Sequence, residues 1–164
     1  MKTKTRMAVT ALMLALCASA HAQHSKYTTI AIEYIGKTDR PVFPIIISAS
    51  REEAKWYRQK LFSDPVSTFA RIYIIGESSL KKILDIPLPN GNTSPPNPGV
   101  EPRTSPALRL VLARGQHSEE VTVEAAESAI LLGKIKKRVS EYPQLVEQLD
   151  DIERRMNRHL KQSH

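Results

Sequence analysis

Apolar and polar positions alternate in five stretches of the chain and recur at three-to-four-residue spacing in others, so strands and helices are both predicted. Tyr27 to Ile35 places Ile30, Ile32 and Tyr34 on one side of an extended backbone and Thr29, Ala31, Glu33 and Ile35 on the other, the pattern of a strand. Gly36 to Pro41 is then a turn. Val42 to Ser48 is a second strand, with Pro44 pointing to an edge position or a bulge because proline cannot donate to a ladder. Ser50-Arg51-Glu52-Glu53 has the form of a capping box: the Ser50 hydroxyl accepts from the third helical N–H while Glu53 reaches back to the N–H of the cap. The helix it opens is predicted to run to about Phe62, stopping before Asp64-Pro65, with Ala54, Tyr57 and Leu61 facing inward.

Phe69 to Ile75 is a third strand closed by Gly76, and Ser78 or Ser79 is placed to cap a short helix, Leu80 to Leu84, that Pro87 keeps from extending. From Pro87 to Pro106 seven of 20 residues are proline, a composition that favours an extended, solvated loop over a core-forming segment. Ala107 to Arg114 alternates again, and Glu120 to Glu124 makes a shorter strand through Val121 and Val123, with Gly115 to Ser118 as the hairpin connection. Beyond Glu124 the period lengthens. Ala125 to Val139 is a helix, Pro143 fits a first helical position, and Leu145, Leu149, Ile152, Met156 and Leu160 stripe a final helix.

These elements predict one α+β domain over residues 23–164: about five mostly antiparallel strands with helices packed on one face and a C-terminal helical pair. The segments Tyr27 to Leu61 and Ala107 to Val139 share the order strand, turn, strand, helix. Either a duplicated ββα unit or chance recurrence of common pieces accounts for that order.

The first 22 residues change the picture most. Lys2, Lys4 and Arg6 precede the apolar run Met7 to Ala18, and Ala20-His21-Ala22 closes it, the order of a cleavable secretory signal. A periplasmic or secreted product beginning at Gln23 is expected. The apolar run is too short to span a bilayer, and no later stretch qualifies, so no transmembrane segment is expected after processing. Cys17 is the single cysteine, so the mature chain would hold no disulfide or thiolate metal ligand; Leu16 before it fits poorly with lipid attachment. Removing 22 of 164 residues leaves 142, and 21 basic against 17 acidic side chains lowers the net charge from +7 to +4. In an exported protein that mild excess points to lipid head groups, an envelope polymer or an acidic protein, and nucleic acid is not expected as a partner.

Candidate chemistry is sparse. His24, His117, His159 and His164 show no zinc-site spacing, so no metal or cofactor is expected, apart from a terminal copper chelate if cleavage instead exposed His21. His117-Ser118-Glu119 holds three triad residue types, but consecutively in a turn and not converging through space. Glu119 and Glu120 point to opposite faces of a strand, which denies them a shared acid–base role. No glycine-rich phosphate loop is present.

Two surface groups remain. Trp56 falls off the inward stripe of its helix and shares a strip with Glu52 and Lys60, and aromatic residues are enriched where partners bind. Arg154, Arg155, Arg158 and Lys161, with Lys134, Lys136, Lys137 and Arg138, offer an anionic-surface candidate; Asp150 to Arg154 and Asp151 to Arg155 are acid-first i, i+4 pairs that give the same residues a structural use. A non-catalytic envelope protein that binds a protein or polymer, with inhibitor or immunity-like roles within that class, is therefore expected. The alternatives are a small envelope hydrolase with a site assembled from distant residues, and a binder of anionic membrane surfaces.

Overall fold

The computed structural model describes residues 26–36, 42–61, 69–89 and 106–162. The expected signal segment and most of the proline-rich loop lie outside the described residues. Along the chain come β1 (Thr29–Ile35), β2 (Ile45–Ser48), α1 (Arg51–Leu61), β3 (Arg71–Ile74), α2 (Glu77–Leu84), β4 (Ala107–Arg114), β5 (His117–Glu124), α3 (Ala125–Arg138) and α4 (Pro143–Gln162). The five strands form one sheet in the order β3-β2-β1-β4-β5, antiparallel throughout except for the parallel pair β2 and β3. An α+β fold with a C-terminal helical pair is what the patterning predicts.

The register sorts side chains onto two faces. Ile30, Ile32 and Tyr34 lie beside Ile47, Ile45, Leu112, Leu110 and Leu108, and this front face carries the larger core. Leu80, Ile83 and Leu84 of α2, Leu131, Leu132 and Ile135 of α3, and Leu145, Leu149, Ile152 and Met156 of α4 close over it. Each fully buried Leu or Ile contributes roughly 1.5–3 kcal/mol relative to exposure, so this layer dominates stability.

Helix α1 departs from the single-face expectation. Its Ala54 packs with Ala31, Ile46, Ala70 and Val111, residues one position out of step with the front-face set, so α1 covers the reverse of the sheet. The reason is connectivity: β2, α1 and β3 form a parallel crossover, and Ile46 between Ile45 and Ile47 supplies the reverse face with an apolar seat. The placement also bears on duplication. A half-turn in the sheet plane brings β1 and β2 onto β4 and β5, but leaves α1 and α3 on opposite faces, so the two ββα units have opposite hands.

Several boundaries differ from expectation for identifiable reasons. Pro44 immediately precedes β2, which is internal and not an edge; the paired residues begin at Ile45, so the missing N–H falls just outside the ladder, while the Pro44 carbonyl accepts from the Arg71 N–H at 2.8 Å. The Ser50 hydroxyl accepts from Glu53 N–H at 3.4 Å, but the Ser50 N–H goes to Ser48 Oγ at 3.2 Å, which replaces the reciprocal half of the capping box. Helix α2 begins at Glu77, so its N-cap is Gly76, which has no side chain to cap with, and Ser79 lies inside the helix with its hydroxyl donating to Glu141 at 2.5 Å. The β4–β5 connection is only Gly115-Gln116, since Arg114 already pairs with His117. Gly115 has φ +54°, and no other residue has positive φ among those described, which fits a type II′ turn and excludes type I′.

Candidate functional site

On α1 the sequence decides what is presented outward. Ala54 and Tyr57 are buried, and the Tyr57 hydroxyl donates to the Gly115 carbonyl at 2.6 Å, tying the helix to the β4–β5 turn. Burial pushes the Tyr57 hydroxyl up from its ordinary pKa, with Glu53 adding to the shift, so it stays a donor at neutral pH. One residue earlier Trp56 turns outward and remains 40% exposed, its ring edge-on to Tyr57 with centroids 4.8 Å apart. Glu52, one turn before, is exposed too; Lys60 lies within α1, with its side chain outside the described set. Since α3 and α4 occupy the other sheet face, they do not cover Trp56 as a second core.

The basic C-terminal residues are less free than their number implies. Arg155 pairs with Asp151 at 2.9 Å, as the i, i+4 spacing predicts. Arg154 differs: its Nε donates to the Asp150 carbonyl at 3.3 Å and its other nitrogen reaches Asp151 at 3.8 Å, because the Asp150 carboxylate is taken by Lys136. Arg158 and Lys161 are exposed.

Lys136 is the contact that sequence reasoning missed. From α3 it donates to Asp150 at 2.7 Å and to Glu153, both on α4, and those two hydrogen bonds push its pKa up against the opposing effect of burial. The signal was the i, i+3 spacing of the two acids, which puts them on one helix face. A groove of about 590 Å³ runs beside this cluster, lined also by Val146 and Arg154.

A second ionic group sits on the reverse sheet face beyond α1. Arg109 Nε lies 3.1 Å from Glu33, its direct partner across β1 and β4, and 3.6 Å from Glu120, which sits opposite Val111 and reaches it diagonally. Glu119 faces the other way and accepts from the Tyr27 hydroxyl, so the two adjacent acids are separately engaged, as their alternation predicts. His117 and Ser118 are exposed at the start of β5 and, with Glu119, alternate between faces without converging.

Tyr27, Tyr34, Tyr57 and Lys136 all shift upward, away from neutrality, so none of the four is poised to exchange protons near pH 7. Among the described residues no group of three or more His, Cys, Asp or Glu side chains could hold a metal ion, and no helix is long and apolar enough to cross a membrane. No family model, curated protein or solved structure matches this chain.

Proposed function

We propose that the chain is an exported, non-catalytic protein that binds a protein or polymer of the cell envelope through the outer surface of α1. The observation that carries this reading is Trp56: a large aromatic side chain, 40% exposed, on the one described helix that lies on the reverse face of the sheet. Indole combines a large apolar area with an N–H donor, and tryptophan is over-represented among residues that dominate binding energy. Glu52 sets a carboxylate one turn away, and Lys60 completes the strip in sequence. Export rests on the positive, apolar and small-residue order of the first 22 positions.

The pairing of Arg154 and Arg155 with Asp151 weakens the case for a membrane-binding face. The test is affinity capture from envelope extract of the host, comparing the natural chain with Trp56→Ala, Glu52→Ala and Lys60→Ala. A stoichiometric partner lost with Trp56→Ala supports the reading. Undiminished capture by all three variants would sink it.

A further inference from the structure

The two edges of the sheet are built differently. Edge strand β5 carries Glu119, Glu120 and Glu124, charges of the kind that blunt an edge against pairing. Edge strand β3 reads Arg-Ile-Tyr-Ile, with Arg71 and Ile74 exposed and Ile72 and Tyr73 partly buried; Ile74 is 39% exposed and the flanking Phe69 66%. Arg71 is its only charge.

We propose that β3 is a self-association edge: a second copy of this chain pairs with it, β3 to β3 and antiparallel, about a twofold axis centred on Ile72. This goes beyond the proposed function, since Trp56 takes no part in it. Backbone direction supplies the first argument. The N–H groups of Arg71 and Ile75 donate inward to Pro44 and Ser48 of the β2 side, at 2.8 and 3.0 Å. In a strand such groups alternate, so Ile72 and Ile74 direct their N–H and C=O outward, along the edge that no described strand pairs.

Symmetry then restricts the register. A twofold axis perpendicular to the sheet keeps each side chain on its own face, so facing residues must share a face and the axis must pass beside a residue, not between two. Centring on Ile72 sets Ile72 against Ile72 and Ala70 against Ile74 twice, three pairs able to exchange backbone hydrogen bonds; centring on Tyr73 leaves two. The same choice sets Arg71 across from Tyr73, a cation beside an aromatic ring, and opposes no like charges. The reverse-face row across the junction becomes Ala70, Ile72 and Ile74 of each copy, all apolar.

Four-residue strands bury a small interface, so a concentration-dependent dimer and not an obligate one is expected. Sedimentation velocity of the chain as its host produces it, across roughly 5 to 500 µM, is the test. The expected result is a shift from monomer to dimer with rising concentration, abolished by Ile74→Lys with an unchanged circular dichroism spectrum. Ser118→Lys, on the opposite edge, should leave the shift intact. A monomer at every concentration, a dimer insensitive to Ile74→Lys, or growth beyond two copies would each overturn the proposal, since a twofold β3 contact closes at two. If Ile74→Lys alters the fold, Arg71→Glu and Tyr73→Lys, made singly and mixed, supply the second test: the mixture should dimerise through the new Glu-Lys pair more than Tyr73→Lys alone.

Discussion

The front and reverse faces of the sheet share five strands yet are covered in opposite ways. Three helices bring leucines, isoleucines and a methionine down onto the front, while the reverse receives one helix seated on small residues, Ala31, Ala54 and Ala70, beside Ile46 and Val111. Past that seat the reverse face turns ionic at Glu33, Arg109 and Glu120. The contrast assigns different work to the two sides. Large side chains interdigitating over the front hold the fold, and a thin reverse layer leaves a helix whose outer surface is free to differ in chemistry from anything the core requires.

The largest effect should come from the front. Leu149 is fully buried on α4, and Leu149→Ala is expected to cost about 2–5 kcal/mol in urea unfolding, from lost transfer energy plus the cavity left behind. Capture of a partner should persist wherever the variant remains folded. On the reverse face the space beneath α1 is set by alanine, so enlargement is the sharper perturbation: Ala54→Leu should cost about 1–3 kcal/mol by overpacking. It should also lift α1 and weaken capture. If Leu149→Ala abolished binding in a folded protein while Ala54→Leu spared it, the division between faces would be wrong.

How much of this was legible depended on whether a feature is local. Alternation located β4 to the residue, because Leu108, Leu110 and Leu112 face one core for the whole strand. It shortened β5, since His117 and Ser118 extend the ladder while staying exposed and leave no burial pattern to detect. Pro44 drew attention to an edge, yet the neighbouring Ile45-Ile46-Ile47 run was the stronger signal: consecutive buried residues mark a strand covered on both faces, which also implied a helix on the reverse. Strand order and helix side are tertiary facts, so the Lys136 bridge between α3 and α4 had no sequence counterpart beyond the spacing of its acceptors. The exposure of Glu52 and Trp56 was legible because outward position on one helix is set by the helical period alone.

Alkali offers a graded probe of the front-face margin. Burial first, then the hydrogen bond to Glu119, raises the Tyr27 hydroxyl from 10.0 to about 12. The unfolded chain releases this proton near pH 10 and the folded chain holds it longer, so the stabilisation is complete below pH 10 and lost as pH rises from 10 through 12. Lys136 has the same sign, its contribution full below 10.5 and lost above. Unfolding free energy measured by urea titration from pH 9 to 12 should therefore fall, and Tyr27→Phe should flatten the decline. An unchanged slope would mean that the fold does not hold the Tyr27 proton above its ordinary range.

The smallest expected change in stability falls on the residue given the largest role in binding. Trp56 is 40% exposed and meets Tyr57 edge-on, so Trp56→Ala should cost about 1 kcal/mol in the same unfolding assay. Tyr57 keeps its bond to Gly115 in that variant and α1 keeps its seat on Ala54, which leaves the backbone of the strip in place. Loss of capture with stability preserved would locate the lost energy at a partner. A fall of several kcal/mol would instead make the indole a structural cover for the reverse face, and the contact surface would have to be sought away from α1.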